Sequence, residues 1–255
     1  TDAVAAAGLG TKVDTPQSIG ATGDTNNAYL AGTTVGTYLA ELGFNLDFAP
    51  SADLSVVDGN AAGSSSYGAE ADNVASFVGY MQAGLQEQKV TACIGQFPGI
   101  GSSTQSTKDG MASTDRSAED FRANEFAVFQ SCIDNCITKM IRISNMASSS
   151  LTGDNTPCTF SSAVVTDILR NELNFRGVIV SGAMNEAAIS NYYGADEAAV
   201  LALRAGCDMI YAPENFETAY NGVLEAVQNG TISEERINDS LRRIYRIKYA
   251  DKLEQ

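Results

Sequence analysis

The amino-acid sequence predicts an α/β fold built on a parallel sheet. Short apolar runs alternate with longer segments in which apolar residues recur at helical spacing, and a loop separates each run from the next such segment. Repetition of strand, loop and helix is typical of parallel sheets, because parallel neighbours need a long crossover connection. With 255 residues, of which 44% are hydrophobic, the chain is long enough to form a sizeable core.

The predicted strands are five short apolar runs bounded by turn-forming residues. They span residues 44–49, 90–94, 139–143, 177–180 and 208–211. Helical spacing is clearest in five longer segments, at residues 27–42, 72–88, 118–137, 161–173 and 233–249. The residues before Asn27 predict an irregular loop with one short helical piece at most.

The last predicted helix has the most regular pattern. Its apolar residues recur at helical spacing between flanking arginines, at Ile237, Leu241, Ile244 and Ile247. We expect this apolar stripe to pack on the sheet. Before the helix, Gly230 can end the preceding helix, and Thr231 with Glu234 predicts a capping box at the helix start.

Composition excludes several classes of partner and cofactor. A net charge of -15 repels the phosphates of nucleic acids, so we expect no nucleic-acid partner. No run reaches the roughly eighteen apolar residues of a membrane helix, so we expect no membrane span. The five cysteines form no C-x-x-C pair and the chain has no histidine, so we predict no metal and no cofactor. The cysteines, at positions 93, 132, 136, 158 and 207, are interpreted as small buried hydrophobic residues, and the composition leaves the compartment open.

Two other chemistries fail on their motifs. The segment Gly99-Ile100-Gly101 lacks the third glycine and the following helix of a dinucleotide site, and no Gly-Lys-Ser/Thr segment is present to hold phosphates. A Ser-His-Asp triad is excluded because the chain contains no histidine.

Three segments carry a resemblance to a known family. In chain order they are IGATGD through LGFNLDFAPSAD (residues 19–53), QFPGIG (96–101), and LRNEL with FRGV up to Ser181 (169–181). The match continues through residues 198–208 and the last helix, so that it covers the chain from about residue 19 to 249. In this order and spacing the sequence resembles glycoside hydrolase family 3, most closely its β-N-acetylhexosaminidase branch.

The resemblance implies a catalytic (β/α)8 barrel forming a single domain over residues 1–255. A barrel of this kind closes with eight strands, whereas the sequence predicts five. Either short strands escape detection or the first one or two βα units lie outside this chain. The resemblance favours the second explanation, because the family's opening strands precede the matched region.

The resemblance also places the catalytic positions. A retaining glycosidase needs a carboxylate nucleophile and a general acid/base on opposite sides of the scissile bond. The family's nucleophile is the first aspartate of a Ser-Asp-Asp segment, which reads Ser181-Gly182-Ala183 here, so that the nucleophile position holds Gly182. The branch's acid/base histidine and its supporting aspartate fall on Lys108 and Ser106.

Most positions implied in substrate binding have changed as well. Gly95 and Gln96 stand where the family has Lys-His, and Ile100 stands for a second histidine. Ser65 stands where the family has an arginine, and Asn145 stands where it has a histidine after the fifth strand. The family's aspartate at a strand end is retained as Asp53. The implied binding residues are therefore Asp53, Ser65, Gly95, Gln96 and Asn145.

Other carboxylates lie near these segments, but no motif places a pair of them at the separation that the mechanism requires. They are Glu186, Asp109 and Asp47, which are interpreted as capping or surface acids. Two hypotheses follow. The chain is either a non-catalytic binding or scaffold member of the family, or a β-N-acetylhexosaminidase- or β-glucosidase-type hydrolase with atypical catalytic residues.

The strand count also predicts a partner. Strands 44–49 and 208–211 would be open edges, with unpaired N–H and C=O groups and an apolar face that a parallel sheet normally covers. We expect a preceding segment of the same precursor, a second copy of the chain or a partner chain to complete the barrel. A saccharide or a partner protein is expected at the barrel mouth.

Overall fold

The computed structural model describes residues 2–135 and 138–250. Its longer helices are α3 (Asn26–Glu41), α4 (Ala71–Glu87), α6 (Glu125–Asp134), α9 (Ala195–Ala205), α10 (Phe216–Gln228) and α11 (Glu234–Lys248). Shorter helices are α1 (Asp2–Ala6), α2 (Pro16–Ala21), α5 (Ala118–Ala123), α7 (Ser149–Thr152) and α8 (Ala187–Ser190). Two 3₁₀ turns, Gly63–Ser65 and Cys158–Phe160, and a π-helix, Ala163–Glu172, complete the helical segments.

Five strands form where the sequence predicts them, which confirms the α/β class. They are β1 (Leu46–Asp47), β2 (Thr91–Phe97), β3 (Met140–Ile143), β4 (Val178–Ala183) and β5 (Met209–Tyr211). The sheet order is β1-β2-β3-β4-β5, which leaves β1 and β5 at the edges as predicted. β1 pairs with β2 and β4 pairs with β5, both in parallel.

The chain divides into two compact units. Unit 1 comprises Thr1–Thr104 and Ser117–Ile141, and unit 2 comprises Gln105–Arg116 and Arg142–Gln255. In unit 1, Phe97 at the end of β2 is fully buried, and its ring contacts Phe126 and Phe129 of α6 with centroids 5.3 and 5.0 Å away. This aromatic cluster fixes the end of β2. The prediction of a single domain over residues 1–255 stays a prediction.

The helices differ from the predicted set, which also lacks α9 and α10. The segment before Asn27 holds two helical pieces, α1 and α2, where at most one is predicted. The cause at α2 is an ordinary start signal: the Thr15 side chain caps the helix, and Pro16 occupies its first turn. The predicted helix 118–137 is divided into α5 and α6 at Asn124, and its residues 136 and 137 lie outside the described residues.

The start of α11 also corrects the sequence prediction. Ser233, not Thr231, is the N-cap, and its side chain accepts a hydrogen bond from the Arg236 N–H. The apolar stripe is only partly used: Ile237 packs on a cluster of unit 2 that contains Leu203, Ala226 and Ile232, but Leu241 is 37% exposed.

The cysteine interpretation is confirmed for four residues. Cys93, Cys132, Cys158 and Cys207 are buried and form no disulfide among the described residues, and Cys136 lies outside those residues. Burial raises the pKa of the Cys132, Cys158 and Cys207 thiols to about 12. None of these three is activated as a nucleophile, because a reactive cysteine needs a lowered pKa.

Candidate functional site

The predicted site residues fall in both units, and each group is described within its own unit. In unit 1 the central residue is Asp53, which is 2% exposed. Its carboxylate accepts hydrogen bonds from Ser51 Oγ at 2.8 Å, from the Gln96 N–H at 3.2 Å and from the Ile100 N–H at 3.0 Å. Hydrogen bonds to an ionised acceptor are stronger than neutral ones, so Asp53 ties the loop after β1 to the loop after β2.

Further backbone contacts support this arrangement in unit 1. Gly95 O accepts a hydrogen bond from the Ala52 N–H at 2.6 Å, and the Gly95–Gln96 peptide is cis. A Cβ at Gly101 would lie 1.5 Å from Leu54 O, so only glycine fits this close approach. The structure therefore brings Asp53, Gly95 and Gln96 together.

Among the described residues, no hydrogen bond joins Ser65 to the carboxylate of Asp53. It ends the 3₁₀ turn Gly63–Ser65 and is exposed. Its short hydroxyl side chain carries none of the charge that the resemblance implies at this position. The prediction that Ser65 binds a ligand stays a prediction.

In unit 2, Gly182 is the fifth residue of β4 and lies two residues beyond the predicted end of this strand. Its N–H donates to Thr159 Oγ1 at 3.1 Å. A Cβ built on Gly182 would lie 2.0 Å from Asn145 Oδ1 and 2.8 Å from Asn145 Nδ2. The space for a side chain at position 182 is thus filled by the amide of Asn145.

Asn145 follows β3 and is completely buried. Its Nδ2 donates to Ala183 O at 2.8 Å and to Glu186 Oε2 at 3.0 Å. Its Oδ1 is buried without a hydrogen-bond partner among the described residues. Both amide donors are used to hold the end of β4 and the Glu186 carboxylate, so Asn145 has no donor left. An amide, unlike an imidazole, does not exchange a proton near neutral pH.

Residues 105–116, which carry Ser106 and Lys108, are held beside the ends of β3 and β4. Thr107 O accepts from the Ala188 N–H at 3.0 Å, and Ala112 O accepts from the Ala147 N–H at 2.8 Å. The Ser106 hydroxyl accepts from the Lys108 N–H at 3.2 Å, and the Lys108 side chain is exposed. The loop is therefore anchored through its backbone.

Of the three additional acids, only Glu186 contacts a predicted site residue of its own unit. Asp109 is exposed on the loop 105–116. Asp47, in β1, is half-buried, and burial raises its pKa above the usual range. Sequence reasoning missed the Asn145–Glu186 contact; the only signal for it is that Glu186 lies four residues after Gly182.

Two features are absent from the described part of the chain. Residues 2–135 and 138–250 contain no group of three His, Cys, Asp or Glu side chains able to hold a metal ion. Over the same residues, no helix is long and apolar enough to cross a membrane.

The fold and the order of its motifs define a glycosidase-type α/β domain. The model of the glycosyl hydrolase family 3 N-terminal domain matches residues 3–247, and the chain belongs to this family. The predicted resemblance is therefore confirmed.

The named relatives are β-hexosaminidases and β-glucosidases. A β-N-acetylglucosaminidase/β-glucosidase of Cellulomonas fimi is 23% identical over 93% of this chain and 44% of its own. A β-hexosaminidase of Nitrosomonas eutropha is 30% identical over 70% of this chain and 51% of its own. The chain spans about half the length of the relatives that it matches.

Solved structures agree with this assignment. A family 3 β-N-acetylglucosaminidase from Paenibacillus superposes with a TM-score of 0.92 at 32% identity, over 97% of this chain and 48% of that protein. The β-N-acetylglucosaminidase from Thermotoga maritima gives a TM-score of 0.80 at 25% identity, over 91% and 50% of the two chains.

Proposed function

We propose that this chain is a family 3 glycosidase-type domain that has lost retaining hydrolysis and acts as a binding or scaffold protein. One observation carries the proposal: the buried amide of Asn145 occupies the space of a side chain at Gly182, the position that the resemblance implies for the nucleophile. A glycine cannot form a glycosyl ester, and no rotation of a neighbouring side chain restores a carboxylate on residue 182.

The acid/base role is lost on independent grounds. The sequence has no histidine, and histidine is the side chain whose charge ordinarily changes near neutral pH. At the proposed acid/base position, Lys108 is exposed, and its side chain forms no hydrogen bond or ion pair with the other described residues. Loss of both halves of the mechanism supports a non-catalytic role more strongly than loss of either.

The retained framework supports binding. Asp53 is buried and fully engaged with the backbone of Gln96 and Ile100, so the loops at the carboxyl ends of β1 and β2 keep a fixed geometry. We therefore propose a saccharide or a protein as the ligand at the strand ends, with neither nucleic acid nor membrane as a partner.

The edge strands support the proposal of a further partner that covers them. β1 and β5 are the edge strands, and the residues of both are only half-buried. We propose that a preceding segment of the same precursor, a second copy of the chain or a partner chain covers them.

Turnover tests the loss of activity. The chain is incubated with aryl β-N-acetylglucosaminides and aryl β-glucosides beside an active family 3 β-N-acetylglucosaminidase as control. We expect no protein-dependent release of the aryl group, since removal of nucleophile and acid/base leaves only binding interactions. Hydrolysis that disappears in Glu186→Gln or Asp109→Asn would instead establish the hydrolase with atypical catalytic residues.

A further inference from the structure

Unit 2 contains an anchored carboxylate that the proposed loss of catalysis does not explain. Glu186 lies in the turn after β4 and is half-buried. Its Oε2 accepts a hydrogen bond from Asn145 Nδ2 at 3.0 Å, and the carboxylate makes no ion pair within residues 2–135 and 138–250. A half-buried carboxylate that is held in one direction, with no ion pair among the described residues, is a candidate ligand contact.

The anchor of this carboxylate is rigid. Asn145 is completely buried. Its Nδ2 also donates a hydrogen bond to Ala183 O at 2.8 Å, and its Oδ1 is buried without a hydrogen-bond partner among the described residues. Oδ1 lies 2.0 Å from the position that a Cβ of Gly182 would take, and both hydrogens of Nδ2 are engaged. Asn145 therefore fixes the direction of Glu186 and offers no free donor to a ligand.

The basic groups of the neighbouring elements leave the carboxylate unpaired. Lys108 belongs to the loop 105–116, which is bonded to α8 through Thr107 O and the Ala188 N–H, but its side chain is exposed and unengaged. On β3, the guanidinium of Arg142 lies 6.0 Å from the ring centre of Tyr211. The Glu186 carboxylate thus presents a hydrogen-bond acceptor with negative charge.

We propose that Glu186, held by Asn145, binds the ammonium group of an amino sugar that is not N-acetylated. Charge-assisted hydrogen bonds are about twice as strong as neutral ones, and the net charge of -15 attracts a cation. An acetamido group carries no charge and gains neither effect. The inference rests on the proposed function, because it assigns the ligand of the same strand ends.

The test compares two matched probes by calorimetry: the β-linked glucosamine dimer with free amines, and its N,N′-diacetyl form. We expect the free-amine dimer to bind about tenfold more tightly, a difference of about 1.4 kcal/mol, since only the ammonium group forms a charge-assisted hydrogen bond with the carboxylate. Glu186→Gln removes the preference. Glu217→Gln, which changes the net charge equally at an exposed position of α10, retains it.

Equal affinity for the two dimers, an unchanged preference in Glu186→Gln, or no binding of either dimer would each overturn the inference. Circular dichroism of both variants establishes that the chain remains folded. Turnover of aryl glycosides would contradict the proposed function whichever dimer binds. Absence of both turnover and dimer binding would contradict only the ligand assigned here.

Discussion

At the scale of single residues, Gly182 and Asn145 form a matched pair. Asn145 fits only because residue 182 has no side chain, and its amide then holds both Ala183 and Glu186. A change at one position therefore depends on the residue at the other, as expected for side chains in direct contact.

This dependence predicts a measurable coupling. Gly182→Ala should lower the free energy of unfolding by about 1–3 kcal/mol, because the added methyl group overlaps a fixed amide. In the Asn145→Ala background the same change should cost at least about 1 kcal/mol less. Urea unfolding of the four proteins measures both values.

Gly79 supplies the control. It lies inside α4, and a Cβ there would meet nothing within 4 Å. Gly79→Ala should be neutral or stabilise by up to about 1 kcal/mol. Strictly additive costs of Gly182→Ala and Asn145→Ala would show that the two residues are not coupled.

At the scale of secondary-structure elements, one buried carboxylate joins the start of β5 to three other segments. Asp208 has a completely buried side chain and accepts from the Ile179 N–H, from Arg170 at 2.9 Å, from Ser240 at 2.7 Å and from Arg243 at 2.8 Å. These partners come from β4, the π-helix and α11. α11 therefore buries Ser240 of its polar face here, while its apolar stripe is exposed at Leu241.

Loss of the Asp208 carboxylate should destabilise the contacts of β5 with β4, the π-helix and α11. Asp208→Asn leaves partly buried arginines without their countercharge, so we expect a loss of about 3–5 kcal/mol. Glu235→Gln is the matched control: Glu235 pairs with Arg242 at 2.7 Å, but its side chain is 68% exposed. An exposed pair contributes about 0–1 kcal/mol. Similar losses in the two variants, measured by thermal unfolding, would contradict this interpretation.

The helix cap gives a second prediction at this scale. Because the Ser233 hydroxyl accepts from the Arg236 N–H at 3.2 Å, Ser233→Ala should cost about 1 kcal/mol. Thr231→Ala should change stability by less than about 0.5 kcal/mol, since the Thr231 side chain makes no cap contact. Chemical denaturation measures the free energy of unfolding of both variants. A larger loss in Thr231→Ala than in Ser233→Ala would support the capping box at Thr231 that the sequence predicts.

At the scale of the whole molecule, the half-buried edge strands β1 and β5 predict association. Unpaired backbone groups and apolar side chains at an edge favour pairing with another segment. We expect the chain alone to have a solution mass above 26.8 kDa, or to exchange its edge amides rapidly. Mass measurement with hydrogen exchange at Leu46, Phe48, Met209 and Ile210 is the test. A stable monomer with slow exchange at these four amides would mean that the chain needs no covering partner.

The sequence by itself determined the α/β class, the five strands and the family, because apolar periodicity and motif order are properties of neighbouring residues. It also shows that histidine is absent, and through the family resemblance it predicts that Gly182 stands at the nucleophile position. Helix starts were less certain: Thr231 and Ser233 are both acceptable caps, and only the backbone conformation selects Ser233.

Only the tertiary structure decided which distant side chains meet. Asn145 contacts Gly182 and Glu186, and Asp208 contacts Arg170 and Arg243, across tens of intervening residues. No periodicity encodes such contacts, because they depend on how strands and helices pack rather than on local backbone preference. The position of Glu186 in the sequence therefore suggested an ordinary surface acid, whereas the packing of Asn145 against Gly182 makes it an anchored carboxylate.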